Sequence, residues 1–218
     1  MPDQLLSDRY TILCGDPARG NDRFGLVGIS LHHSEKIERH FWRINIKFAR
    51  QYQKTTFEGV AADMSPIIRK VRPDFLGLEI NNEGRKALEA FHQQGHKHTK
   101  GIFTTGTMTA KNRQTKWESM DKPYTIDWLR RCAAADGPEN APAFVVPPRK
   151  PSPHMQVLME QITMIKQYRT HTGEFTYRAI SSRHDDLFMA FLLCCHVARH
   201  VIGTRDPASY TNWEDPPH

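Results

Sequence analysis

The 218-residue sequence predicts one α/β domain in which a mixed sheet is flanked by helices. Three apolar segments near the N-terminus are separated only by short polar breaks, which is typical of an antiparallel meander. A strand–helix–strand pattern follows and favours parallel strands. The last segment is long and apolar on almost all sides, so it predicts a buried helix.

The first half of the chain contains the predicted sheet. Apolar runs bounded by polar or turn residues predict five strands, at 9–15, 23–33, 38–48, 74–80 and 100–106. A helical period predicts a helix at 57–71, where Pro66 is expected to cause a kink or a break. A second helix is predicted at 83–95 and ends at Gly95.

The second half adds helices and a possible hairpin. Its predicted elements are helices at 121–136 and 154–168, an extended piece at 141–148, a strand or hairpin arm at 173–180 and a long helix at 184–202. We expect a single domain over residues 1–203 and a loose tail over 204–218. This order of elements matches a ribonuclease-H-like architecture: a mixed five-stranded sheet with an added C-terminal hairpin or strand and a long final helix.

Composition excludes some classes of protein. No apolar run reaches 18 residues, so no membrane span is expected, and the N-terminus does not have the pattern of a signal peptide. The four cysteines form no CxxC pair, and those at 14, 194 and 195 lie in apolar surroundings. We therefore expect reduced core thiols and a cytosolic protein.

The formal net charge of +6 is consistent with a polyanionic partner such as nucleic acid. Lysine and arginine cluster at 111–116 and 147–154. Solvated loops are the alternative interpretation of both clusters.

Four acidic residues stand in or beside apolar elements. Asp16 ends the first strand, Glu79 lies near the end of the fourth, and Asp185 and Asp186 open the last helix. Burying a carboxylate costs several kcal/mol unless it is paired or bound to a metal. If strands one and four are parallel neighbours, Asp16 and Glu79 meet at one edge of the sheet. Such oxygen ligands suit Mg²⁺ or Mn²⁺, and two ions about 4 Å apart can promote phosphodiester hydrolysis.

Structural explanations remain open for the two strand-end acids. Asp16 could simply start a turn before Pro17, because aspartate favours such turns. Glu79 could pair with Arg85 or cap the helix predicted at 83.

The helix-opening acids also have an alternative role. Ser182 and Asp185 fit a capping box, with serine as the N-cap and aspartate at N3, which leaves Asp186 unexplained.

Two groups of histidines are weak metal-site candidates because cysteine ligands or an intervening glutamate are missing: His92, His96 and His98, and His196 and His200.

Three segments resemble the nuclease domain of phage large terminases: GDPARGNDRFGLVGI, FLGLEINNEG and SSRHDDLFMAFLLCCHVA, in this order. The resemblance implies a ribonuclease-H-fold endonuclease that cuts concatemeric DNA during genome packaging with Mg²⁺ or Mn²⁺. By position, it implies metal ligands at Asp16 and Glu79 and at one or both of Asp185 and Asp186. The segment GIFTTGTMTAK, which contains Lys111, resembles the family's segment after strand five.

We therefore expect a two-metal-ion endonuclease that cleaves double-stranded DNA with low sequence specificity. It would act in the cytoplasm of a virus-infected or prophage-carrying cell. Expected phosphate contacts are Lys111, Arg113, Lys116, Arg149 and Lys150, with Arg19 or Asp22 as a further contact to substrate or metal. No P-loop motif occurs, so this chain alone would not be the packaging motor, and it is an excised domain, the product of a split gene or a free-standing nuclease. The resemblance implies a separate packaging ATPase, a small terminase subunit and a portal as partners.

Two other functions are also consistent with the sequence. One is a structure-selective nuclease similar to Holliday-junction resolvases. The other is an inactive DNA-binding or assembly module of the same fold. The acidic residues argue against the second, because a buried negative cluster does not help a protein that only binds phosphate.

Overall fold

A computed structural model describes residues 9–17, 23–36, 39–53, 55–105, 118–133, 143–146, 150–169, 175–179 and 185–205. Nine strands and five helices lie within these ranges. In chain order they are β1 (Arg9–Asp16), β2 (Arg23–Lys36), β3 (Arg39–Gln53), α1 (Phe57–Val71), β4 (Phe75–Glu79), α2 (Gly84–Gln93), β5 (Lys100–Thr105), β6 (Ser119–Asp121), α3 (Lys122–Ala133), β7 (Ala143–Val146), α4 (Pro153–Thr163), β8 (Ile165–Arg169), β9 (Phe175–Ala179) and α5 (Asp186–Arg205).

The main sheet has the strand order β6-β5-β4-β1-β2-β3-β7. Strands β1, β2 and β3 form the antiparallel meander that the sequence predicts. Strand β4 lies parallel to β1, and β5 lies parallel to β4. The predicted mixed sheet of five strands is therefore present, and the short parallel strands β6 and β7 extend it to seven at its two edges.

Helices cover the two faces of this sheet. Along β1, Ile12 and Cys14 point into the core that contains α5, while Leu13 points into the core under α1 and α2. Because side chains alternate along a strand, Asp16 lies on the α5 face with Ile12 and Cys14. The topology therefore directs the strand-end carboxylate towards α5.

Helix α5 is buried as its sequence predicts. Every side chain from Leu187 to Ala198 is buried, which fits a helix that is apolar on almost all sides. The Cys194 thiol donates to the carbonyl oxygen of Val27 at 3.2 Å, and all four cysteines are free and buried. Among the described helices, none is long and apolar enough to cross a membrane.

The helix predicted at 154–168 is wrong in its last part. Helix α4 ends at Thr163, and residues 165–169 form β8, which pairs with β9 as an antiparallel hairpin. The hydrogen bonds that make this segment a strand come from β9, a partner that helical periodicity does not reveal.

Helix α1 has the bounds that the sequence predicts, whereas one further boundary differs from expectation. Helix α1 continues through Pro66, so the proline does not break it. Helix α5 reaches Arg205, beyond the predicted domain boundary at 203, and the rest of the predicted tail lies outside the described residues.

Candidate metal centre

The ends of β1 and β4 bring two candidate acids together. In the parallel register, Gly15 lies opposite Leu78, so Asp16 and Glu79 occupy neighbouring positions at the carboxyl edge. Their carboxyl groups hydrogen-bond to each other, and Asp16 is only 8% exposed. The predicted convergence of these two side chains is present in the structure.

The electrostatics of Asp16 link it to all the other candidate acids. Burial raises the pKa of Asp16 well above its usual value, and the hydrogen bond with Glu79 raises it further. The negative charges of Glu79, Asp186 and Asp185 act in the same direction. The charges of all the other candidate carboxylates therefore act on Asp16.

A glycine on β2 allows α5 to reach this site. Gly25 lies opposite Asp16 in the antiparallel pair, and a Cβ at this position would lie 2.5 Å from the backbone C and O of Asp186. The start of α5 therefore rests directly on the β2 backbone. Gln51, which faces Gly25 from β3, donates from Nε2 to the Oδ2 of Asp186 at 3.2 Å.

The two adjacent aspartates have different positions at the start of α5. The Asp185 carbonyl accepts from the Met189 amide at 2.8 Å, and Asp186 is the first helical residue. The capping-box interpretation is therefore wrong, because Asp185 precedes the helix and does not occupy N3; Ser182 lies outside the described residues. The Asp185 carboxylate instead lies 3.6 Å from the Lys122 ammonium.

Glu79 is oriented by two polar side chains. The Thr104 hydroxyl donates to Glu79 Oε1 and accepts from Asn81 Nδ2 at 2.8 Å. The Asn81 side-chain oxygen in turn accepts from the Thr104 backbone N–H at 3.1 Å. Because a hydroxyl has one proton, the Asn81 contact directs that proton to Glu79. The Glu79 side chain therefore pairs with Thr104 and Asp16, and the N-cap residue of α2 is Glu83.

Other predicted site residues lie elsewhere. Lys150 is exposed just before α4. The remaining candidate phosphate or metal contacts lie outside the described residues: Arg19, Asp22, Lys111, Arg113, Lys116 and Arg149.

Two of the candidate histidines have structural partners. His92 hydrogen-bonds to the Thr99 carbonyl at 3.0 Å, and His96 to the Ser65 hydroxyl at 2.6 Å. The rings of His196 and His200 contact each other at a centroid distance of 4.8 Å.

Four residues of the site were missed by sequence reasoning: Gly25, Gln51, Thr104 and Lys122. Gly25 and Thr104 lie in segments that resemble the terminase nucleases, but no pattern singled them out, and each of the four reaches the site through a contact with a residue distant in the chain. The sequence places Lys122 near the start of the helix predicted at 121–136, but this position does not indicate a function.

The donor set fits a hard divalent cation, since it consists of carboxylate oxygens on a partly buried edge. Among the residues that the structure describes, no group of three or more His, Cys, Asp or Glu side chains is already arranged to hold a metal ion. The contacts between these side chains and their partners are made in pairs. Each carboxylate has its own partner: Asp16 with Glu79, Glu79 also with Thr104, Asp186 with Gln51 and Asp185 with Lys122.

No protein-family model matches the chain, and no curated protein matches it. Solved structures do. The large terminase nuclease from thermophilic phage G20c with bound magnesium aligns with a TM-score of 0.57 at 14% identity, covering 87% of this chain and 82% of that chain. The nuclease domain of the large terminase subunit gp2 of bacterial virus Sf6 aligns with a TM-score of 0.57 at 14% identity, covering 86% and 88%.

A mutant of the Sf6 domain with manganese and beta-thujaplicinol aligns with a TM-score of 0.59 at 11% identity, covering 86% of this chain and 88% of that chain. The described part of the chain thus has the ribonuclease-H-like fold of the terminase nuclease domains, as the sequence predicted.

Proposed function

We propose that this protein is a metal-dependent endonuclease that hydrolyses the phosphodiester bonds of double-stranded DNA with low sequence specificity. The observation that carries the proposal is the convergence of the buried Asp16 with Glu79 at the carboxyl edge of the sheet, where the charges of Asp185 and Asp186 also act on Asp16. The structural neighbours named above are terminase nucleases, some with magnesium or manganese, and they support the same chemistry.

Two Mg²⁺ or Mn²⁺ ions at this edge would supply an activated water and would neutralise charge on the leaving oxygen. Asp16 stands between Glu79 on β4 and the aspartates of α5, so its carboxylate can serve both sides. Thr104 and Gln51 hold Glu79 and Asp186 in fixed orientations. Asp16 must lose its proton for the site to work, because only the ionised form binds a cation well.

Duplex DNA would be held through its phosphates. Lys150 is exposed and available for such a contact, and we propose the same role for the basic residues at 111, 113, 116 and 149. Binding through phosphates releases counterions and therefore weakens steeply as the salt concentration rises. We further propose that the protein acts in the cytoplasm of a phage-infected cell with a packaging ATPase, a small terminase subunit and a portal.

Plasmid cleavage tests the proposal directly. Supercoiled plasmid incubated with the protein should be nicked and linearised with Mn²⁺ or Mg²⁺ and should stay intact in EDTA. Cutting that persists in EDTA would contradict a metal-dependent mechanism. A matched pair of substrates, a linear duplex and a four-way junction of the same sequence, should be cut at similar rates. A strong preference for the junction would instead indicate a resolvase-like nuclease.

The Thr104→Val substitution tests how Glu79 is oriented. Valine keeps the shape of threonine but removes the hydroxyl that donates to Glu79, so we expect Mn²⁺ affinity to fall by roughly 10-fold, as for other partners of metal ligands. Isothermal titration calorimetry with Mn²⁺ measures this. Thr105→Val is the matched control, because the Thr105 hydroxyl donates to the Met120 carbonyl and not to a carboxylate. Equal Mn²⁺ affinities in the two variants would argue against the orienting role.

A further inference from the structure

The edge that carries the carboxylates also carries a lysine. Strand β6 lies parallel to β5, with Asp121 opposite Thr105, so β6 ends at the same edge of the sheet. Asp121 Oδ1 accepts from the Tyr124 amide at 3.0 Å and caps α3, which makes Lys122 the first residue of that helix. The Lys122 ammonium lies 3.6 Å from Asp185 Oδ2.

This position is an unfavourable one for a lysine. The N-terminus of a helix carries a partial positive charge, so a cation there is repelled by the helix dipole. The Lys122 side chain is nevertheless only 21% exposed. It extends towards the Asp185 side chain, which is 34% exposed. The Asp185 carboxylate, 3.6 Å from the ammonium, offsets this repulsion.

We propose that Lys122 is a counter-ion built into the carboxylate site. It pairs with Asp185 when the site holds no metal, and it competes with a divalent cation for that carboxylate. Lys122 is thus a positioning residue: it stabilises the metal-free protein and raises the metal concentration at which the Asp185 side of the site fills. This inference rests on the proposed function, because it assumes that the carboxylates bind Mg²⁺ or Mn²⁺.

The test replaces the lysine and follows Mn²⁺ binding. Lys122→Met removes the charge, so the weaker Mn²⁺ binding step in calorimetry should become about 3- to 10-fold tighter. The same change should lower the unfolding temperature of the metal-free protein by about 2–4 °C. Lys122→Arg keeps the charge and should behave as the wild type does in both measurements.

Lys86→Met is the matched control, because Lys86 pairs with Glu83 at 2.7 Å on α2. It should leave Mn²⁺ binding unchanged. Mn²⁺ binding that is no tighter in Lys122→Met than in the wild type would overturn the inference, and so would a Lys122→Arg variant that binds Mn²⁺ as tightly as Lys122→Met.

The failure of this inference can be told apart from failure of the proposed function. A wild type that cuts plasmid normally, beside a Lys122→Met variant with unchanged Mn²⁺ binding, overturns the role of Lys122 alone. A wild type that binds Mn²⁺ but cuts no DNA overturns the nuclease proposal alone. A wild type and a Lys122→Met variant that both fail to bind Mn²⁺ overturn the two together.

Discussion

Asp16→Asn should abolish metal-dependent cleavage and, at the same time, make the metal-free protein more stable. Asparagine has the same shape but no charge, so it escapes the cost of burial and the repulsion from Glu79, Asp186 and Asp185. We expect cleavage to fall by on the order of 100-fold or more, because even partners of metal ligands contribute 10- to 100-fold. The free energy of unfolding without metal should rise by on the order of 1–3 kcal/mol.

The pH dependence of stability follows from the same carboxyl group. The pKa of Asp16 is higher in the folded protein than in the unfolded chain, so between these two values the unfolded state binds fewer protons. The metal-free wild type should therefore lose stability as the pH rises above the usual aspartate pKa, over the window up to the raised folded value. Asp16→Asn should lose less stability over this window, because asparagine does not titrate. The charged groups that remain at the site are Glu79, Asp185, Asp186 and Lys122.

Thermal unfolding at about pH 5 and about pH 8, with and without Mn²⁺, measures both effects. Mn²⁺ displaces the Asp16 proton, so the affinity of the wild type for Mn²⁺ should rise with pH. Glu89→Gln, which changes an exposed acid on α2, is the control for removing one negative charge. A destabilised Asp16→Asn protein, or one that still cuts plasmid at the wild-type rate, would show that Asp16 has another role.

Gly25→Ala is expected to damage the fold and the site together. The added Cβ would lie 2.5 Å from the backbone C and O of Asp186 and 2.9 Å from the N of Leu187. Backbone atoms cannot rotate away as a side chain can, so the start of α5 must move. We expect a loss of about 1–3 kcal/mol in the free energy of unfolding, as for other overpacked sites, and much weaker Mn²⁺ binding.

The strand offers its own control for this change. In Gly28→Ala the new Cβ would meet Phe48 Cβ at 3.3 Å and Leu13 Cδ1 at 3.4 Å, so a shift of a few tenths of an ångström would relieve the contact. Urea unfolding and Mn²⁺ calorimetry should show a clear effect only for Gly25→Ala. If both variants were as stable as the wild type and bound Mn²⁺ equally, the close seating of α5 on β2 would be disproved.

The sequence revealed the parts of the site that depend on local patterns. An apolar run that ends in Asp16, and another that ends near Glu79, marks two strand ends directly. The strand–helix–strand order around α1 favours parallel strands, which share one carboxyl edge, but that β1 and β4 are neighbours is known only from the structure.

Contacts between distant segments could not be predicted in the same way. Gln51 and Asp186 are 135 residues apart in the chain, and nothing near either residue indicates the other. Strand β6 is three residues long, too short for a period-two pattern to appear, so the position of Lys122 at the carboxyl edge of the sheet was also hidden. The capping-box pattern failed because it describes a local preference, whereas the hydrogen bond from Met189 to Asp185 sets the start of α5.

Helix α5 combines two duties, since its buried body forms much of the core while its first residue belongs to the carboxylate site. A change in the packing of α5 therefore also moves the carboxylate at its start. A random screen for inactive mutants would therefore recover changes at buried α5 positions such as Leu192 and Phe191 as readily as changes at Asp186. Genetic loss of function along this helix would identify a damaged scaffold at least as often as a damaged catalyst, and only a direct measurement of bound metal would separate the two.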